Sequence, residues 1–126
     1  MTRYVLDSSF LIDHLRGEPA ATARFIEMNE TGDELLVCDI GAAEVWSGRP
    51  SEHPRVERLL RYLEFVQPGP PTSMLAGQWR AEARGRGGRL GLPDALIAAT
   101  AVHLDATVLT RNIRDVALTP GRIERY

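Results

Sequence analysis

Apolar positions fall in short blocks separated by polar breakers, and the blocks alternate between strand and helix character. Arg3–Leu6 ("RYVL") is a strand-length apolar run that stops at Asp7. Residues 9–15 have helical spacing and stop near Gly17, and Pro19 opens a second helix running to about residue 29, with Ala23, Ile26 and Glu27 on adjoining turns. Glu34–Cys38 ("ELLVC") is a second short apolar strand. Asp39 is placed to cap a helix over 39–47, which Gly48 and Pro50 stop. Ser51 is placed to cap another, with Val56, Leu59, Leu60 and Leu63 at helical spacing. A weak strand over 64–67 precedes the breaker "PGPP". Residues 72–86 read as helix and "GRGGRLG" as a flexible loop. Leu92–His103 is a helix apolar on nearly every face and therefore buried. Thr107–Leu109 is a strand, and 122–125 a last edge strand.

Strands separated by helices predict a three-layer α/β/α domain over residues 1–126. Its central sheet is mostly parallel, has four to five strands and is Rossmann-like. In such sheets the functional site lies beyond the carboxyl ends of the strands. Asp7 sits at one such end. Thr110, Arg111 and Asn112 follow another, "TVL". Two strand ends thus deliver polar residues to one rim.

Composition narrows the chemistry. At 126 residues, 44% hydrophobic and 25% charged, the chain suits one soluble globular domain. No apolar run approaches the ~20 residues of a membrane span. The first residues do not have the pattern of a signal peptide. Cys38 is the only cysteine, so an intrachain disulfide is excluded and a metal-thiolate site has no support. A reducing, cytoplasmic setting is expected. The net charge of −2 argues mildly against indiscriminate nucleic-acid binding but leaves room for a local basic patch. All 15 basic side chains are arginine. Walker-type phosphate binding and Schiff-base chemistry, both of which need lysine, are excluded.

Each acid has a plain reading beside a functional one. Asp7 is placed either to cap the following helix or to serve a site. Glu44, in "DIGAAEVWSG", is an ordinary exposed helix residue or a site acid on a mostly apolar, covered helix. Asp94 follows Pro93 in the first turn of the buried helix and stacks with Ile97, Ala98 and Ala101. A carboxylate there needs a cation or hydrogen-bond donors, or the helix N-terminus must satisfy it. Asp115 and Asn112 are turn residues or site residues. Several acids converging at a sheet rim make a hard-oxygen site suited to Mg²⁺ or Mn²⁺. Such ions activate water and stabilise charge on a phosphodiester.

In chain order, "YVLDSS", "AAEVWSG", "LPDALIAATA" and "VLTRNIRDV" resemble the motifs of PIN-domain ribonucleases, above all VapC-type toxins of bacterial toxin–antitoxin pairs. The resemblance covers essentially the whole chain. It implies a parallel sheet between helices and Mg²⁺- or Mn²⁺-dependent endonucleolytic cleavage of a structured RNA such as tRNA or rRNA. It further implies a homodimer and a VapB-type antitoxin that covers the active site in a hetero-oligomer. Matched motif by motif, Asp7, Glu44 and Asp94 are the three core acids. The family's fourth position is often Asp; here Asn112 stands two residues after Thr110, and Asp115 follows. Either Asp115 completes the catalytic and metal-binding set, or Asn112 acts as a neutral ligand. Ser9 and Thr110 match supporting polar positions.

RNA phosphates need positive charge. Arg80, Arg84, Arg86 and Arg89 precede the Asp94 helix, and Arg111 lies at the other rim; the plain reading of these arginines is a solvated helix end and surface loop. A dinucleotide-binding loop is excluded. Gly85 and Gly87 are followed by Leu90 where a glycine is required, and a helix, not a strand, precedes them. A haloacid-dehalogenase-like phosphatase needs an acid two residues after Asp7, where Ser9 stands, and a supporting lysine. The remaining alternative is a catalytically silent PIN-like module that binds RNA or protein.

Overall fold

A computed structural model describes residues 1–126. Strands β1 (Arg3–Leu6), β2 (Glu34–Cys38), β3 (Glu64–Val66), β4 (Thr107–Leu109) and β5 (Ile123–Glu124) form one five-stranded sheet in the order β3-β2-β1-β4-β5. Every pairing is parallel, as the alternation of strands and helices predicts. Helices α1 (Ser8–Leu15), α2 (Pro19–Glu30), α3 (Asp39–Trp46), α4 (His53–Tyr62), α5 (Pro70–Gly85), α6 (Leu92–His103) and α7 (Ile113–Val116) complete the chain.

Successive strand side chains point to opposite faces, and here both faces are buried. Tyr4, Leu6, Leu35, Val37 and Leu109 pack with Phe10 and Leu11 of α1, Met28 of α2, Val45 of α3 and Leu59 of α4. Val5, Leu36, Cys38 and Val108 face the other way, onto Ile97 and Ala101 of α6. Ala95, Ala98 and Ala99 on the outer side of α6 admit Trp79, Ala76 and Ala83 of α5 at close range. The apolar character of α6 on most faces thus has two causes, sheet on one side and α5 on the other.

Some boundaries differ from the sequence expectation. Asp39 does not cap α3: the strand runs extended through Cys38, which takes the N-cap position, and Asp39 is the first helical residue. Ser51 does not cap α4 either; it lies within a 3₁₀ turn, Pro50–Glu52, that leads directly into the helix. The third strand ends at Val66, and β5 holds only two residues. Four residues carrying Asp115 form the short helix α7, which apolar spacing over so brief a segment does not announce.

The turn into β2 requires a glycine. Gly32 adopts φ +72° after α2, its amide donates to Asn29 O, and the following Asp33 amide reaches back to Met28 O. A Cβ there would meet no atom within 4 Å. Gly32→Ala is therefore expected to destabilise by ~1–2 kcal/mol through backbone conformation alone. A urea melt checks this, and a neutral substitution would show that the turn relaxes.

Candidate active site

The parallel register brings Leu6 opposite Leu109, and the Asp7 amide donates to Leu109 O at 3.0 Å. Asp7 and Thr110 therefore leave the sheet side by side. Asp7 occupies the N-cap position of α1, but its side chain makes no capping bond; only its carbonyl accepts from Phe10 and Leu11. The carboxylate is buried and turned to the rim. Its Oδ2 accepts from Ser9 Oγ at 2.8 Å and from Thr110 Oγ1 at 2.7 Å. The Arg111 amide donates to Ser9 Oγ at 3.1 Å, and the Asn112 amide to Thr110 Oγ1 at 2.9 Å. Each hydroxyl has one proton. Each receives a backbone N–H and passes its own proton to Asp7, which fixes the carboxylate and leaves Oδ1 without a protein donor.

The other acids arrive on three helices. Asp94 stands in the first turn of α6 and is half-buried. No cation faces it. Its pKa is pushed up to about 6, first by burial and then by the charges of Asp7, Asp115 and Glu44. The structure thus brings Asp7, Glu44 and Asp115 within electrostatic reach of Asp94. Glu44 is exposed on α3 and accepts from Ser8 Oγ at 3.0 Å. Asp115 lies exposed in the first turn of α7. Asn112 precedes that helix, and its contribution to the hydroxyl pair is its amide, not its side chain.

The donor set is all carboxylate and hydroxyl oxygen, which suits Mg²⁺ or Mn²⁺ and gives a softer ion nothing. Asp7 offers a free Oδ1, and Asp94 a carboxylate compensated by no positive charge. No three of these acids stand at ligand spacing around one point. Like charges at a rim repel, so holding a cation requires the side chains to close on it.

The expected RNA-binding arginines divide. Arg84, Arg86 and Arg89 are exposed at the end of α5 and in the loop that follows. Arg80 Nε donates to Leu90 O at 3.1 Å and so braces that loop. Arg111 turns its guanidinium onto Asp13, with Nη1 2.7 Å from Oδ1. Beside Glu44 opens a cleft of about 560 Å³ whose walls carry Arg16, Arg49 and Arg55, three cations that the sequence reading did not assign to the site. Ser8, Asp13 and Tyr126 were also missed. Ser8 adjoins a candidate motif, but no sequence signal ties residue 13 to residues 111 and 126.

A parallel sheet with this strand order carries an acidic rim at its carboxyl edge, and the match to the PIN domain model over residues 4–117 places the chain in that family. The chain is 32% identical to Ribonuclease VapC19 of Mycobacterium tuberculosis over 119 residues, 92% of this chain and 94% of that one. It is 36% identical to Ribonuclease VapC10 of the same organism over 111 residues, covering 86% and 82%. In structure it is similar to a chain of VapBC2 from Rickettsia felis bound to a DNA fragment from their promoter, with a TM-score of 0.85 at 20% identity over 99% of both chains.

Proposed function

We propose that this protein is a Mg²⁺- or Mn²⁺-dependent endoribonuclease, the toxin of a VapBC-type pair, acting in the cytoplasm on a structured RNA such as tRNA or rRNA. The observation that carries this reading is the convergence of Asp7, Glu44, Asp94 and Asp115 on one rim, so close that three of them raise the pKa of the fourth. Identities of 32% and 36% to two VapC ribonucleases support the same activity. A VapB-type antitoxin is the proposed partner, in a hetero-oligomer built on a toxin homodimer.

Asp7, Asp94, Glu44 and Asp115 would hold the ion. When bound, a divalent cation supplies an activated water and charge stabilisation on the phosphodiester. Asp7 is the most rigid of the four, because two hydroxyl protons fix one oxygen and leave the other to the site. Asp94, its carboxyl pushed up to about 6, must be ionised before the site can act. Arg84, Arg86 and Arg89, exposed in the segment that leads into the Asp94 helix, would hold RNA phosphates.

The test is incubation of a total tRNA and rRNA preparation with antitoxin-free protein in Mg²⁺, in Mn²⁺ and in EDTA. Discrete products that disappear in EDTA are expected. A folded protein that cleaves nothing in either metal would replace this proposal with a silent binding module.

The fourth acid is assigned by charge. Asp115 bears on Asp94, whereas the Asn112 side chain makes no contact in the site. Asp115→Ala is expected to slow cleavage by ~10–100-fold and Asn112→Ala by a few-fold at most. Comparing initial rates ranks them, and the opposite ranking would make Asn112 the ligand.

A further inference from the structure

One buried charge lies outside the acidic rim. Asp13 on α1 is 5% exposed. It stands one helical turn after Ser9, on the same face. Arg111 Nη1 donates to both of its oxygens, at 2.7 and 3.0 Å. The Tyr126 hydroxyl donates to Oδ2 at 2.5 Å and lies 3.3 Å from the Ser9 carbonyl. The Tyr126 ring meets Phe10 of α1 edge-on, with centroids 4.9 Å apart.

Arg111 therefore holds two successive turns of α1. Its amide donates to Ser9 and its guanidinium to Asp13. It also sits between Thr110, whose hydroxyl grips Asp7, and Asn112, whose amide donates to that hydroxyl. We propose that Asp13, Arg111 and Tyr126 are positioning residues. They clamp the segment 110–112 against α1, set the two amides that aim the Ser9 and Thr110 hydroxyl protons, and so orient Asp7 for the ion. This rests on the nuclease reading above. It also moves Arg111 from the RNA surface to the support of the site.

Three features make the clamp more than general packing. Asp13 is buried and has its charge met by one arginine, whose own side chain is half exposed, so removing Arg111 leaves a buried carboxylate uncompensated. Tyr126 adds a proton to the same carboxylate and fixes its rotamer. Both partners come from segments about a hundred residues away in the chain, so α1 alone cannot keep this geometry.

An RNA contact and a positioning role give opposite signatures. Loss of a phosphate contact weakens RNA binding and lowers its salt dependence while metal affinity stays constant. Loss of support around a ligand weakens metal binding and turnover, typically by ~10–100-fold, at unchanged RNA affinity. The experiment uses wild type, Asp13→Asn, Arg111→Gln, Arg111→Lys, Tyr126→Phe and the double variant Asp13→Asn/Arg111→Gln. Three quantities are read for each: Mn²⁺ affinity by electron paramagnetic resonance, KM and kcat on total tRNA, and Tm.

Asp13→Asn and Arg111→Gln are expected to weaken Mn²⁺ binding and lower kcat by ~10-fold or more, with KM within about twofold. The double variant should be no worse than the worse single one, because both remove the same clamp. Arg111→Lys should recover most of the loss, since one nitrogen makes both contacts. Tyr126→Phe keeps the ring and the ion pair, and therefore the fold. It should weaken Mn²⁺ binding by a few-fold, which no RNA contact explains. Arg111→Gln and Tyr126→Phe that match wild type in Mn²⁺ affinity, or that change KM alone, would overturn the inference. Wild type that cleaves in metal while these variants match it overturns the clamp only. Wild type that neither binds Mn²⁺ nor cleaves overturns the nuclease reading, and the clamp with it.

Discussion

Asp94→Asn is expected to lose RNA cleavage by more than ~100-fold and to melt about 4 °C above wild type in EDTA. The first effect follows from removing one of the proposed charged ligands, which costs more than loss of an outer partner. The second follows from the acid's surroundings. Its carboxyl titrates at about 6 in the folded protein instead of its ordinary 3.8. A carboxyl so raised opposes folding wherever it must be ionised. The full shift corresponds to about 3 kcal/mol, and solvent at the half-buried site screens this to ~1 kcal/mol. For a chain of this size that is about 4 °C. Between pH 4 and 6 the folded state keeps a proton that the unfolded chain has lost, so wild-type stability rises as pH falls through 6 and levels off near 4. Asp94→Asn should flatten that slope. Calorimetry from pH 4 to 8 beside a cleavage assay tests both effects. A variant that cleaves like wild type, or that melts lower, removes Asp94 from the role assigned to it.

Mn²⁺ should have the converse effect on the wild type. At a hundred times its dissociation constant a ligand adds about 2.7 kcal/mol, so Tm is expected to rise by about 10 °C at pH 7.5. The ion must displace the proton from Asp94. Its affinity should accordingly fall about tenfold for each pH unit below 6, and the gain in Tm should drop to about a third, ~3 °C, at pH 4.5. Asp94→Asn should show little gain at any pH. A wild type whose Tm ignores Mn²⁺ while it still cleaves in EDTA would refute a metal site at this rim.

Much of this architecture could be read before any coordinates. Beyond their charged first residues, Arg3–Leu6 and Glu34–Cys38 are apolar because helices cover both faces of the sheet. The helix Leu92–His103 was legible for a related reason, its alanines serving α5 on one side and the sheet on the other. Capping was less legible. Asp39 and Ser51 are good cap residues, yet the chain turns one residue before Asp39 and passes Ser51 in a 3₁₀ turn, because the end of β2 and Pro50 set the entry points. Asp7 and Asp94 were legible as candidates because one ends a strand and the other stands in a helix's first turn, whereas Glu44, within α3, was singled out only by its motif. Asp13 had no such mark. Within "SSFLIDHL" it resembles the polar position of an amphipathic helix, and the two residues that bury its charge are 98 and 113 positions away. The pairing of Arg111 was hidden for the same reason, since an exposed-looking arginine after a strand reads equally well as a phosphate contact.

The strand order has a consequence for the cell that makes this protein. β1, made first, pairs with β4, and the hydroxyl of Thr110 reaches Asp7 across 103 residues. While a ribosome is still adding that stretch, Asp7 has neither Thr110 nor the amides of Arg111 and Asn112 around it, and Asp115 does not yet exist. The proposed site therefore cannot assemble around Asp7 until the segment 110–115 has been added to the growing chain.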